Sequence, residues 1–255
     1  MQIVLITKKT IKRIFIIVIV LTISAVYSQR IRKEIVGTYM NNEKETPICS
    51  VDVPDKRICI TFDCNWGDDC LEDILATLKR YSIKGTFFLT GNWAKKHTSL
   101  VEEIYNQGHE IGNHSQNHIR MVGLTNSEIK NEIIDGELII SEIIGRKTTL
   151  FRMPYGEFDN RLIKEARKIN YSIIKWDVDS CDYKDVEPSK ISKKVMENIR
   201  PGSIILFHSS ALNTCEALSQ IIEDARKDGY KFYTVSELLL KNNYYIDGDG
   251  RQKQL

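Results

Sequence analysis

The 255-residue chain has no Cys-x-x-Cys pair, no glycine-rich phosphate loop after its first strand-like run, no internal repeat and no low-complexity tract. The first absence argues against a thioredoxin-like redox centre or a zinc ribbon, and the second weakens a dinucleotide-binding reading. Without a repeat the chain is no solenoid. Charge of one sign is also lacking: 36 basic and 34 acidic residues leave +2. Four of the basic residues, Lys8, Lys9, Lys12 and Arg13, stand before position 29 with no acidic partner, so the remainder carries 32 against 34. Such a balance offers no basic face for nucleic acid. What the chain does have is 42% apolar residues with 27% charged ones, enough for a substantial core and unlike a disordered or disulfide-scaffold composition.

Those four cations precede Ile14 to Val26, an apolar stretch broken only by Thr22 and Ser24, and Val26, Tyr27 and Ser28 could form a cleavage site. This is the layout of an exported protein's signal peptide, residues 1–28, or of an N-terminal membrane anchor. The run is short of the ~20 residues that a spanning helix needs. Export would make the six cysteines disulfide candidates. Their spacing leaves connectivity open, and free or partly buried thiols are the simpler expectation.

Residues 29–56 are polar and irregular and read as a linker; 57–240 read as one catalytic domain and 241–255 as a tail. Strand-like runs at Ile58 to Phe62, Gly85 to Thr90, Glu110 to Asn113, Thr149 to Arg152, Ser172 to Val178, Ser203 to Phe207 and Lys231 to Thr234 alternate with helical periods. One such period is Leu71, Ile74, Leu75, Leu78 and Tyr81. Another opens on Thr125 and Glu128, a capping box, and closes at Gly145. About seven strands separated by helices predict an α/β fold, a parallel sheet closed or partly closed into a (β/α) barrel.

In such a fold chemistry gathers where strands end. Asp63 ends ITFD, His114 and His118 follow EIGN, Arg152 ends LFR, Asp177, Asp179 and Asp182 follow IIKW, and His208 ends IILF. The two histidines four apart would share one side of a helical turn and could face one ion. A carboxylate at the edge of a core needs a partner, and Arg152 could grip Asp63 with two parallel hydrogen bonds. The bland readings are a structural salt bridge for Arg152 and a hydrogen-bonded core histidine for His208. His97 and His109 lack such context and read as surface or structural.

In order, TFD (61–63), HSQNH (114–118), RMPYG (152–156), DSCDY (179–183) and IILFH (204–208) resemble the polysaccharide deacetylases with a NodB-homology domain, carbohydrate esterase family 4. The resemblance runs from about Lys56 to Leu240. Its last stretch is similar to bacterial members acting on cell-wall glycans, including those linked to sporulation. It implies a distorted (β/α) barrel that removes N-acetyl groups from amino sugars with a divalent ion, commonly Zn2+, with Co2+, Mn2+ or Ni2+ as alternatives. By the same resemblance Asp63 is the general base, Arg152 its orienting partner, His208 the general acid and Asp182 the group that holds it. The backbone N–H of Tyr155 would meet the oxyanion, and Pro154, Tyr155, Tyr183 and Trp66 would contact the glycan, a polymer of N-acetylglucosamine and N-acetylmuramic acid bound by a monomer. Tyr183 stands where the family usually has tryptophan.

One departure matters more. The family's metal site is an aspartate directly after the base, together with two histidines, and here that position is Cys64. His114 and His118 would then be joined by a Cys64 thiolate, by Asp68 from the following loop, or by water alone. A catalytically silent glycan-binding module of the same fold and a deacetylase of chitin-like polymers are the alternatives to a peptidoglycan deacetylase. An envelope-anchored structural protein would leave the strand-end residues unexplained.

Overall fold

The computed structural model describes residues 45–255 and, ahead of them, helical positions at Leu21, Thr22, Ser24 and Tyr27. Most of the expected signal or anchor lies outside the described residues. Residues 1–44 and 45–255 are separate compact units, and the second is the one described below. Among the described residues no helix is long and apolar enough to cross a membrane.

The centre of the fold is β2 (Arg57–Cys64), a run of β-branched and aromatic residues buried on both faces, as a parallel strand must be when helices cover the sheet. Around it stand β3 (Thr86–Leu89), β4 (Glu110–Asn113), β5 (Leu150–Phe151) and β6 (Ser172–Ile173) on one side, and β8 (Ile204–His208) and β7 (Val178–Asp179) on the other. Every pairing along this path of seven strands is parallel, and β9 (Lys231–Phe232) pairs with the start of β2. The sheet curls into a distorted (β/α) barrel. The sequence reads Ser172 to Val178 as a single strand, but it is two short strands at opposite ends of the sheet, β6 and β7, and Ile174 to Asp177 spans the gap between them. An apolar run marks a buried extended segment and carries no mark of which neighbour each half pairs with.

Alternation along β2 sorts its side chains. Ile58, Ile60, Phe62 and Cys64 join a cluster with α1 (Leu71–Arg80) and α7 (Leu212–Lys227), while Cys59 belongs to a second cluster with Phe88 and Ile204. Residues of the second set, ending in Asp63, therefore face inward. Phe62 stacks on Phe87 at 4.8 Å between centroids, and each such fully buried side chain stabilises the fold by roughly 1.5–3 kcal/mol. The expected capping box forms at the start of α4 (Asn126–Ile144), where Thr125 caps Glu128 and Glu128 returns to Thr125; Gly145 ends the helix at a φ of 71°. The remaining helices are α2 (Gly91–Lys96), α3 (Thr98–Asn106), α5 (Asn160–Lys168), α6 (Pro188–Asn198) and α8 (Val235–Leu238).

Segments read as linker and tail meet in a small sheet: β1 (Ser50–Val51) pairs with β11 (Arg251–Gln254), which pairs with β10 (Tyr244–Ile246). Free thiols are also not the whole outcome. Cys70 and Cys215 form a disulfide with 6.1 Å between Cα atoms, leaving Cys49, Cys59, Cys64 and Cys181 free. It ties the start of α1 to α7 across 145 residues, a loop long enough that no local spacing pattern could reveal it. Replacing both cysteines by serine is expected to lower unfolding free energy by about 2–4 kcal/mol, measured by urea unfolding without reductant.

Candidate active site

Strand register assembles the site. Asp63 and His208 are Cα partners on β2 and β8, Asp179 is level with Leu206 on the far side of β8, and Asn113 is paired with Leu89 and Phe151. All these strands run the same way, so their carboxyl ends open on one rim, around a cavity of about 680 Å³ that Asp63, His118, Tyr155, Asp182, Tyr183 and His208 line.

Asp63 is buried and divides its two oxygens. Arg152 Nη1 donates to Oδ1 at 2.8 Å, while Oδ2 stands 3.4 Å from His114 Nε2. The two-bond grip expected of Arg152 is therefore a single bond. Its other terminal nitrogen donates to the Lys175 carbonyl at 2.9 Å, and the guanidinium lies over the Phe88 ring at 4.0 Å. Burial pushes the Asp63 carboxyl up, and the charges of Arg152, His114 and His208 outweigh it, holding it below the usual carboxylate range.

His208 and Asp182 form the second arm. His208 Nδ1 donates to Asp182 Oδ1 at 2.8 Å, so Nε2 is left for the cavity. Asp182 Oδ2 accepts from the His208 backbone N–H at 2.7 Å and from Thr214 Oγ1 at 2.6 Å. Burial pushes the His208 imidazole down, but its hydrogen bond and charge contact with Asp182 more than compensate, raising it above its ordinary value.

The two remaining imidazoles meet through a loop. HSQNH is no helical turn: Ser115 and His118 have φ of 71° and 55°, and the rings come edge to face at 4.9 Å between centroids. Asn113 Oδ1 accepts from Ser115 N–H, Ser115 Oγ accepts from His118 N–H, and Glu132 of α4 accepts both the backbone and side-chain N–H of Asn117. These local bonds replace the helical ladder. Mid-helix Gly136 lets the loop sit close, since a Cβ there would lie 2.9 Å from the Ser115 carbonyl. His114 Nδ1 donates to the Arg152 carbonyl at 2.7 Å, which leaves Nε2 as an acceptor with no hydrogen-bond partner among the described residues, facing a carboxylate oxygen. Two lone-pair-bearing atoms face to face suit a cation between them. Burial lowers both imidazoles, His118 to about 4, so each is neutral at neutral pH, the form in which an imidazole can ligate a metal. Two such imidazoles are chemically suited to bind a divalent ion, but among the described residues no group of three or more His, Cys, Asp or Glu side chains is gathered for one.

Cys64 and Asp68 are not brought to this pair. Cys64 is fully buried in the cluster facing α1 and α7, and burial pushes its thiol to about 12 despite a bond to Ser209. Asp68 turns instead to His97 Nδ1 at 3.2 Å, and His97 stacks on Trp93, so His97 is a loop anchor. Asp177 also leaves the rim. It accepts from Ile204 N–H and Ser203 Oγ at the opposite end of β8. Pro154 is buried behind the rim, whereas Trp66, Tyr183 and Tyr155 are 65%, 53% and 45% exposed around it. Tyr155 holds a φ of 61° in a short 3-10 turn, with Arg120 over its ring at 4.5 Å. Thr214, Glu132 and Asn65 complete the surroundings and carry no motif that marks them in the sequence.

A family model described as polysaccharide deacetylase matches residues 50–174. The peptidoglycan-N-acetylglucosamine deacetylase of Bacillus cereus is 35% identical over 186 residues, covering 71% of this chain and 68% of that protein. The peptidoglycan-N-acetylmuramic acid deacetylase PdaA of Bacillus subtilis is 30% identical over 208 residues, covering 80% and 75%. The crystal structure of a CE4 family pseudoenzyme from Bacillus anthracis is similar with a TM-score of 0.74 at 31% identity, covering 82% of this chain and 70% of that one.

Proposed function

This chain belongs to the polysaccharide deacetylase family, and from that premise we propose that it is an exported, metal-dependent hydrolase that removes N-acetyl groups from amino sugars of peptidoglycan. The observation that carries the reading is the facing of Asp63 and His208 across one strand pair, each with its own buried partner, at the rim of a single cavity. A disulfide between Cys70 and Cys215 supports an oxidising compartment outside the cytoplasm.

The side chains divide the work. When a divalent ion such as Zn2+ is held by His114 and His118, it lowers the pKa of water and polarises the amide carbonyl. Asp63, kept ionised by Arg152, takes the proton of the attacking water as the new C–O bond forms. The tetrahedral oxyanion is met by the backbone N–H of Tyr155. Protonated His208 then gives its Nε2 proton to the sugar nitrogen as the C–N bond breaks, so acetate and a free amine leave together. Asp182 keeps the imidazole in the tautomer that points Nε2 inward. Trp66, Tyr155 and Tyr183 supply apolar faces against which sugar rings stack.

A silent glycan-binding module is the second reading, favoured by the burial of Cys64 where an acidic ligand would stand. The full chain incubated with peptidoglycan fragments and Zn2+ or Co2+ separates the two. Acetate release with an acetyl-to-hydrogen mass loss per amino sugar supports the hydrolase. Retained fragment binding with no acetate under either ion overturns it in favour of the module.

A further inference from the structure

We propose that Glu132 and Glu137, two buried carboxylates on one face of α4, are positioning residues for the His118 imidazole; this deepens the deacetylase reading and rests on the place it gives His118 at the rim. The loop they serve needs holding. Ser115 and His118 both have left-handed backbone, at φ of 71° and 55°, and residues other than glycine stay there only when their surroundings over-determine them. The two glutamates are 8% and 9% exposed, and they accept their hydrogen bonds from neutral groups. Burying a carboxylate is costly unless its oxygens are well bonded, so what those bonds hold carries the argument.

Glu132 holds the middle of the loop. Its Oε2 accepts the Asn117 backbone N–H at 3.0 Å, and its Oε1 accepts from Asn117 Nδ2 at 2.6 Å. An ionised carboxylate only accepts, so it fixes which way the Asn117 amide points. Asn117 Oδ1 then accepts from Asn92 Nδ2 at 2.9 Å, and Asn92 Oδ1 accepts from Gln116 Nε2 at 2.9 Å. The two residues before His118 are thereby tied to α4 and α2. His118 itself donates its backbone N–H to Ser115 Oγ at 3.1 Å.

Glu137 reaches the start of the same loop through two residues. The Tyr171 hydroxyl donates to Glu137 Oε2 at 2.6 Å, and the Thr148 backbone N–H donates to Oε1 at 2.9 Å. The Tyr171 oxygen in turn accepts from Asn113 Nδ2 at 3.3 Å, a nitrogen that also donates to the Ile133 carbonyl at 2.8 Å. With both amide hydrogens spent in that direction, Asn113 Oδ1 faces Ser115 and accepts its backbone N–H at 2.9 Å. Gly136 leaves room for this arm, since a Cβ there would stand 3.0 Å from Asn113 Oδ1. Glu132, Ile133, Gly136 and Glu137 share one face of the helix, and that face is the mould on which the loop from Asn113 to His118 is cast.

Proton–nitrogen correlation spectra of the histidine rings, with acetate-release kinetics, test this on the full-length chain, because the spectra report the ring whether or not glycan is hydrolysed. In the parent His118 should show one neutral tautomer with its proton on Nδ1, since Nε2 accepts from Asn65 Nδ2 at 2.9 Å. Glu132→Ala should split or average these signals and lower kcat about 10–100-fold with KM changed less, the loss expected when a reacting group is displaced by about 1 Å. Glu132→Gln keeps the shape and one acceptor and should recover most of kcat. Tyr171→Phe deletes the link between Glu137 and Asn113 and should act in the same direction, and it carries the test if Glu132→Ala does not fold. His109, at the opposite end of β4 with Nδ1 accepting from the Gly85 N–H, should keep its signals and mark an intact fold. Unchanged His118 signals and kcat in both variants overturn the proposal, and so does a loss of activity that moves His109 as much as His118, which makes the carboxylates structural only. Altered His118 signals in a chain whose parent releases no acetate sustain this inference while the hydrolase reading fails. Acetate release by the parent, with both variants matching it, does the reverse.

Discussion

Asp63→Asn is expected to reduce acetate release from peptidoglycan fragments by about 10²–10⁴-fold, the range that a positioned general base contributes. The substitution preserves shape and one acceptor for Arg152 Nη1, so the geometry of the rim persists. What goes is the negative charge that makes the residue a base. It also leaves the fully buried Arg152 guanidinium without its counter-charge, with only the Lys175 carbonyl and the Phe88 ring against it. Removing one partner of a buried pair costs on the order of 3–5 kcal/mol, so the variant should also unfold at lower urea. The two effects separate by pH. The folded-state pKa of Asp63 is depressed, so its contribution to stability is complete above the unfolded carboxyl value and is lost as pH falls through the folded one. The stability gap between parent and variant should accordingly narrow in acid, while the loss of activity at neutral pH stays. An active Asp63→Asn protein with normal stability would remove Asp63 from the mechanism.

The parts of this site that were legible in the sequence are those carried by strand ends. In a parallel sheet the last residue of each strand reaches the same rim, so TFD and IILFH bring Asp63 and His208 together, and register makes them direct neighbours. Helix limits with side-chain signals, such as Thr125, Glu128 and Gly145, were legible for the same local reason. Features built by the chain's return were not. The apolar run from Ser172 to Val178 hides the point where the sheet path is interrupted, and Asp177, read as part of the rim, braces the start of β8 instead. Spacing of four between His114 and His118 suggested a helical turn, whereas left-handed residues at Ser115 and His118 produce the ring contact, held from outside by Glu132 and made room for by Gly136. Cys70 and Cys215, like Thr214 and Asp182, meet across long separations that no window of sequence spans.

Asp182→Asn is expected to reduce turnover at neutral pH by roughly 10²-fold, with KM changed less than kcat because the Asp182 carboxylate is spent on His208 and Thr214. Asparagine can present an amide N–H to His208 Nδ1, which favours the neutral imidazole with its proton on Nε2, a form too weakly acidic to give that proton to the departing amine. The pH profile carries the diagnosis. His208 is raised above its ordinary value by Asp182 in spite of burial, so the alkaline limb of kcat should move to lower pH when the carboxylate is gone. Stability gives a second reading of the same proton. A raised imidazole contributes fully below its unfolded value near ~6.5 and loses that contribution as pH rises through the folded one, so the parent should weaken over this window and Asp182→Asn should not. Thr214→Val removes one hydrogen bond to Asp182 and leaves its charge, and should shift the limb far less. An alkaline limb at the same pH in parent and Asp182→Asn would show that another group supplies the proton to the departing amine.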